Sequence, residues 1–283
     1  SEMCIRDRSW RDRIEDFNYG VRFTLADGQR KVLKYPNESG DIYSWYNNKL
    51  DGTIWGYTTV GIAQTQEEMD AHLANNKPNW GSNWGAGDIM YADLNGDGEV
   101  TSGSKTLNDH GDLKVIGNSY ARYNFGFTVD GSWRGLDFSI FLQGTMKRDY
   151  WLDGPYFWGA SGDEWQSACF TEHLDYWTPE HTNAYYPKPY FGNIKKNQEV
   201  QSGYLQNAAY LRVKNVQVGY TLPKSWTKKA AMESVRFYVS GDNLLTWTGI
   251  SSIFDPETLG GDWGPGKLYP LQRTLSVGVN VNF

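Results

Sequence analysis

The last ten residues, Thr274-Leu-Ser-Val-Gly-Val-Asn-Val-Asn-Phe283, alternate without a break between apolar and small or polar side chains. In an extended strand Leu275, Val277, Val279, Val281 and Phe283 share one face, and Thr274, Ser276, Gly278, Asn280 and Asn282 the other. A soluble sheet rarely leaves so amphipathic a strand at a chain end, where backbone frays and an open edge recruits other chains. A strand crossing a bilayer requires the pattern: about ten residues traverse the hydrocarbon, one face meeting lipid and the other a wet lumen. The other reading open to this stretch is a half-buried strand of a β-sandwich.

The same period recurs upstream. Tyr19, Val21, Phe23 and Leu25 alternate with Gly20, Arg22, Thr24 and Ala26. Asp27-Gly28 then offers the positive φ angles of a two-residue hairpin turn, predicting a return strand from about Gln29 to Tyr35. A stretch rich in Gly, Asn and Trp runs to about Tyr120. Ala121, Tyr123, Phe125, Phe127 and Val129 mark the next strand, a turn follows over Asp130 to Gly135, and Leu136, Phe138, Ile140 and Leu142 mark the return. A second long connection spans about Lys147 to Ala208. In Tyr210 to Tyr220 the apolar phase slips between Val213 and Val216, which predicts a β-bulge or a change of face. A modest turn at Thr221 to Trp226, with a short helical stretch through Met232, leads to Val235, Phe237 and Val239. A third connection runs from Trp247 to about Leu271.

The expected fold is all-β: a partial antiparallel transmembrane β-barrel of about seven strands with long extracellular loops. Short and long connections alternate, so every long one falls at the same end, the asymmetry of bacterial outer-membrane barrels. Seven strands leave edges that lipid cannot satisfy, so the segment is expected to be part of a larger barrel.

Composition narrows the alternatives. With 33 acidic and 27 basic side chains the net charge is -6 and the pI about 5.3, against a nucleic-acid surface. Aromatic residues reach 16%, a share that suits strands and interfacial belts. No run of apolar residues is long enough for a membrane helix, and two cysteines, Cys4 and Cys169, are too few for a disulfide framework. Ser1-Glu-Met-Cys-Ile-Arg-Asp-Arg8 has neither a start Met nor an export signal and looks like translated adapter sequence, so residues 1–8 are expected to be a non-native leader.

Asp93-Leu-Asn-Gly-Asp-Gly-Glu99 opens like an EF-hand calcium loop. Asp93, Asn95 and Asp97 supply alternate oxygens and Glu99 a carbonyl, but Ser104 stands where a late acid belongs, leaving Asp112 to return as that ligand. Asp, Asn and Gly also build turns with no metal. The four histidines show no metal spacing, and Asp163-Glu164 reads as surface charge rather than an acid pair. No nucleophile with a partner and no phosphate-binding glycine loop occurs, so no enzyme is expected. Trp55, Trp80, Trp84, Trp151 and Trp158 are candidate substrate contacts, with loop packing the alternative for each.

Several stretches add up to a resemblance: Gly52-Thr-Ile-Trp-Gly-Tyr57, Gln64-Thr-Gln-Glu-Glu-Met69, Gly87-Asp-Ile-Met-Tyr-Ala-Asp-Leu-Asn-Gly-Asp-Gly98, Asp112-Leu-Lys-Val-Ile-Gly-Asn118, Phe138-Ser-Ile-Phe-Leu-Gln-Gly144, Tyr210-Leu-Arg-Val-Lys-Asn-Val216, Gly219-Tyr-Thr-Leu-Pro223, Gly241-Asp-Asn-Leu244 and Phe254-Asp-Pro-Glu257. In this order they resemble the carboxyl-terminal part of SusC/RagA-type TonB-linked outer-membrane transporters, over residues 9–283. The resemblance implies a barrel of about 22 strands, an amino-terminal plug, a SusD-like lipoprotein lid that captures glycans or peptides, and import driven by TonB. It places the protein in the outer membrane, in contact with lipid and with an oligosaccharide or oligopeptide cargo. Phe283 resembles the terminal aromatic by which such proteins are recognised for assembly. The competing reading is a secreted, soluble, calcium-containing β-sandwich that binds glycans.

Overall fold

The computed structural model describes residues 2–159, 169–190, 196–260 and 264–283, with side chains from Cys4 onward. Seven antiparallel strands form one sheet: β1 (Glu2–Ile14), β2 (Phe17–Gln29), β3 (Arg122–Trp133), β4 (Leu136–Lys147), β5 (Tyr210–Thr221), β6 (Ser234–Thr248) and β7 (Thr274–Asn282). Their order in the sheet is their order in the chain, so the sheet is a meander with β1 and β7 as open edges. Consecutive connections of a meander lie at opposite ends. The turns at 15–16, 134–135 and 222–233 therefore share one end, and the connectors 30–121, 148–209 and 249–273 share the other.

Two expectations about the first hairpin fail. Asp27-Gly28 does not turn, and no strand returns from Gln29 to Tyr35; β2 runs through both residues, and β1 pairs with it from Ile14 opposite Phe17 to Glu2 opposite Gln29. The turn lies at Glu15-Asp16, where Glu15 takes a φ of 53°. Asp27 is occupied elsewhere: its carboxylate receives the guanidinium of Arg122, with Nη2 2.5 Å from Oδ2. A polar contact across the sheet thus outweighs the local turn propensity of Asp-Gly. The strand total agrees with expectation only because β1 replaces the missing return strand, and residues 4–8 lie within it.

The predicted bulge is present in β5. Val213 pairs with Leu142 and Asn215 with Phe141, so Lys214 has no partner on β4; on the other side Asn215 pairs with Asp242 and Val213 with Leu245. Asn243, in the β6 segment opposite, takes a φ of 52°.

Cross-strand register sorts the two faces. One face carries apolar ranks, each read from β2 to β7: Phe17, Trp133, Leu136, Tyr220, Phe237, Val279; then Tyr19, Gly131, Phe138, Val218, Val239, Val277; then Val21, Val129, Ile140, Val216, Gly241, Leu275. Above the bulge the ranks continue as Phe23, Phe127, Leu142, Val213, Leu245 and as Leu25, Phe125, Gly144, Leu211, Trp247. The opposite face is Gly, Ser, Thr, Asn, Gln, Asp and Arg with a few aromatics. There Arg236 reaches over Gly219 to Asp137 at 2.5 Å; a Cβ at residue 219 would lie 2.4 Å from that guanidinium, so the glycine makes the bridge possible.

Among the described residues no layer covers the apolar face. Leu275 is 74% and Val277 83% exposed, and of the sheet's described apolar side chains only Val213 and Val235 are buried. A β-sandwich would bury these ranks against a second sheet; among the described residues the other sheets are two-stranded pairs within the connectors, the ranks stay largely exposed or half-buried, and the sandwich reading is set aside. Trp133, Tyr220 and Trp226 at the turn end, and Tyr123 and Trp247 at the connector end, stand exposed like the interfacial aromatics of a barrel. From Phe17 to Leu25 the ranks extend roughly 27 Å along the strand, enough for the ~25 Å apolar band of a tilted barrel.

The two faces predict unequal tolerance of charge. In the intact membrane protein, Leu275→Arg in the middle rank should cost ~2–4 kcal/mol of folding in lipid, whereas Ser276→Arg on the wet face should cost little. Fractions folded into liposomes, read by heat-modifiable gel mobility, measure the difference; equal tolerance would assign the faces wrongly.

Candidate functional site

The three connectors fold on one another into a body with its own core. Buried Ile42, Tyr57, Ile89, Tyr91, Val100 and Leu113 come from the first connector, Leu152, Phe157, Trp158, Tyr186 and Tyr204 from the second, and Ile250, Phe254 and Leu259 from the third. The aromatic rings meet largely edge to face, as with Phe157 against Trp158 at 5.1 Å and Trp80 against Tyr91 at 5.2 Å. One helix, α1 (Gln66–Leu73), buries Met69 beside Ala63 and Met90; Thr65 caps it by accepting the Glu68 N–H.

A buried ion pair joins the first two connectors. Asp88 is 0% and Lys196 1% exposed at the side chain, and Nζ lies 2.6 Å from Oδ2. Asp88 also accepts from the Gly85 amide at 2.8 Å, Asn197 Nδ2 at 2.9 Å and the Tyr190 hydroxyl at 3.3 Å. Lys196 donates to the Asn83 carbonyl at 2.6 Å and stands 4.2 Å from the Tyr190 ring centroid. A buried charge pair is tolerated only when its remaining hydrogen-bonding capacity is filled, as here. The preceding Gly87, at φ +88°, lies so close to the Trp177 ring that a Cβ would approach it to 2.5 Å.

The third connector is tied to the barrel wall. Arg212 of β5, 3% exposed, meets Asp255 at 2.7 Å and Glu257 at 3.0 Å. The bulged Lys214 reaches Glu257 at 2.9 Å and the Asn243 side chain at 3.2 Å. Without the bulge, Lys214 would occupy an apolar rank; the extra residue brings it beside Arg212. Three of the sequence motifs, around Arg212, Asn243 and Asp255, thus converge on one ion cluster.

The Asp93 loop is closed by its own amides. Asp93 accepts from the N–H groups of Asn95, Gly96 and Gly98 at 3.0, 2.6 and 2.8 Å. These bonds, that of Gly98 foremost, hold its carboxyl below the usual range. Asp97 accepts from the Glu99 amide, and the Glu99 side chain is exposed. Asp112, fully buried, comes back to the loop and accepts from Leu94 at 2.6 Å and from Thr101 at 2.7 Å. The sequence-predicted oxygens of Asp93, Asn95, Asp97 and Asp112 are therefore gathered, and each accepts at least one backbone N–H group. Among the described residues no set of three or more His, Cys, Asp or Glu side chains is placed to hold a metal.

The candidate tryptophans separate. Trp158 is 5% exposed among Phe157, Tyr186 and Tyr204, which removes it as a substrate contact. Trp84 packs on Tyr91 and Lys196, and Trp151 on Trp158, both half-buried. Trp55 and Trp80 line a cavity of about 180 Å³ between the first two connectors. Phe283 follows the end of β7 and is 90% exposed. Asp163-Glu164 lies outside the described residues. Sequence reasoning missed Asp88, Lys196 and the Arg212 cluster. A signal was available for the last: charged residues inside an apolar strand at a slip in its period.

No family model matches the chain. It is 26% identical to TonB-dependent receptor P3 of Formosa agariphila, over 95% of this chain and 27% of that protein. It is 23% identical to TonB-dependent receptor SusC of Bacteroides thetaiotaomicron, over 95% of this chain and 25% of that receptor. The chain thus spans about a quarter of the curated relatives it matches. Among solved structures, the RagAB peptide importer in its open-open state aligns with a TM-score of 0.69 at 19% identity, covering 98% of this chain and 28% of that one. A further RagAB peptide transporter structure aligns with a TM-score of 0.66 at 20% identity, over 99% and 29%. The chain resembles SusC/RagA-type TonB-linked receptors along nearly its whole length, as the ordered motifs imply, and shares the fold of the RagA barrel.

Two measurements on the intact protein follow. Asp112→Ala strands the amides of Leu94 and Thr101, at ~1–3 kcal/mol each, and should speed hydrogen exchange across residues 94–101. Wild-type protection compared in EDTA and in millimolar calcium tests the loop as a metal site: a rise with calcium supports it, and no change removes it. Because the folded Asp93 carboxyl titrates below its ordinary 3.8, its contribution is full above that pH and should fade with further acidification.

Proposed function

We propose that this chain forms part of a TonB-dependent outer-membrane transporter that imports an oligosaccharide or oligopeptide together with a SusD-like surface lipoprotein. The observation that carries the reading is the conjunction of faces and ends: apolar ranks with no protein against them, a polar face opposite, and all three long connectors at one end. Lipid is the environment that completes the first face, water and cargo the second. The folded connectors would lie outside the cell, where a lid could dock and cargo enter. The similarity to TonB-dependent receptors and to the RagA fold supports the same reading.

In this reading the cargo crosses without chemical conversion. The wall contributes the polar strand face, bridged by Arg236 and Asp137, and the connectors contribute the fixed rim held by Asp88 with Lys196 and by Arg212 with Asp255. Contact with TonB falls to parts of the receptor beyond this chain.

The intact protein should remain in the outer-membrane fraction through sodium carbonate washing, and release into the wash would overturn the assignment. Deletion of Phe283 should lower the amount assembled in the membrane while leaving synthesis unchanged; undiminished membrane levels would deny it a part in assembly.

A further inference from the structure

We propose that the turn between β5 and β6, residues 222–233, docks the headgroup of an anionic phospholipid in the inner leaflet, an inference that rests on the outer-membrane reading and adds a lipid class to it. The segment is basic on an acidic chain. It carries Lys224, Lys228 and Lys229 against Glu233 alone, whereas the whole chain has a net charge of -6. All three lysines are exposed, and among the described residues none of their ammonium groups has a hydrogen-bond or ion-pair partner. The arginine of the neighbouring turn is already engaged, since Arg134 meets Asp16 at 2.9 Å.

Backbone bonds set where these lysines stand. Lys224–Thr227 forms one helical turn, Lys228–Ala230 continues it as a 3₁₀ turn, and Ala231 ends it with a φ of 54°. The Lys228 N–H donates to the Lys224 carbonyl, so the two side chains leave the same side one turn apart. Both ends are tied down. The Leu222 N–H donates to the Val235 carbonyl at 2.9 Å, and the Glu233 N–H to the Asn282 carbonyl of β7 at 2.7 Å. Within the turn the Met232 N–H donates to the Thr227 carbonyl at 3.1 Å. Ammonium groups carried on a backbone fixed in this way lose less freedom on binding.

What lies beside the charges sets the class of partner. Trp226, between Lys224 and Lys228 in the chain, is 63% exposed. The adjoining strands carry Tyr220 opposite Phe237, both exposed on the apolar face. A soluble anion would satisfy the ammonium groups and leave the indole in water. A phospholipid answers both: its chains border the apolar rank, its glycerol region receives the indole, and its phosphate receives the ammonium groups at the ends of their flexible stems. A zwitterionic headgroup brings its own cation and cancels part of that attraction. With the connectors outside the cell, this turn lies at the inner leaflet.

The test uses the intact receptor, purified in an uncharged detergent, freed of lipid, and titrated with phosphatidylglycerol or phosphatidylcholine under native mass spectrometry. Phosphatidylglycerol should bind about tenfold more tightly, the least expected of three lysines acting together. The combined variant Lys224→Gln, Lys228→Gln, Lys229→Gln should bind the two lipids alike, and Lys224→Arg, Lys228→Arg, Lys229→Arg should keep the preference. These side chains are exposed and unpaired, so the variants alter charge without removing a contact on which folding depends. The site is overturned if the wild type binds both lipids alike, if the Gln variant keeps the preference, or if the Arg variant loses it. It is equally overturned if glycerol 3-phosphate, which has no chains, binds as tightly as the lipid. Carbonate washing of outer membranes is scored in parallel. Retention without a lipid preference removes the headgroup site and leaves the membrane reading standing, whereas release into the wash removes the membrane reading whichever lipid is preferred.

Discussion

Hydrocarbon offers no hydrogen-bond partners, and this one property governs how the seven strands can exist. Every backbone N–H and C=O within the apolar band must find its partner on a neighbouring strand, while the side chains on that face need no protein to bury them. The sheet obeys both terms: β2 to β7 pair along their lengths with a register shift at the β5 bulge, and their apolar ranks lie largely open. In water such a sheet would be an aggregation hazard. Beside lipid it needs nothing over it.

The connectors face the opposite problem, being irregular chain in water, and they solve it as soluble proteins do. They supply an aromatic core, and where chain segments of distant origin must be fixed to one another they use charge pairs and charge-assisted hydrogen bonds. Asp88 with Lys196 fastens the first connector to the second, Glu172 accepts the hydroxyls of Ser251 and Ser252 to fasten the second to the third, and Arg212 with Asp255 fastens the third to the wall. The bulge at Lys214 marks the junction of the two regimes. Below it strict alternation serves lipid; there, one residue is taken out of the ladder so that an ammonium joins the polar cluster.

This division explains what could be read from the amino-acid sequence. Alternation identified β3 to β7 because lipid and lumen impose a period of two that nothing in the strand may break. The slip between Val213 and Val216 was legible for the same reason. The connectors impose no period, so the pairing of Asp88 with Lys196, far apart in the chain, left no local trace. Asp27-Gly28 misled because turn propensity is a local quantity, and the contact that opposes it, with Arg122, lies on another strand. Asp93 to Glu99 shows a related ambiguity: the residues that suit a cation also suit a tight loop whose amides need acceptors, and here the acceptors serve the amides.

The first strand separates backbone geometry from side-chain chemistry. In register, β1 offers Ile14, Asp12, Trp10, Arg8 and Arg6 to the ranks that β2 continues as Phe17, Tyr19, Val21, Phe23 and Leu25. Arg8 lies one rank from the middle and Arg6 in the outermost rank; an Arg on a lipid face costs up to ~2–4 kcal/mol at the midplane and ~0–1 kcal/mol near the interfaces, against the ~0.2–1 kcal/mol that a cross-strand side-chain pair returns. The ladder therefore extends one strand further than the lipid-compatible pattern, which begins at Phe17. An antiparallel edge recruits any extended backbone that can reach it, whereas a bilayer accepts only strands with the right faces. The residues on those faces, more than the hydrogen bonds between strands, define the wall.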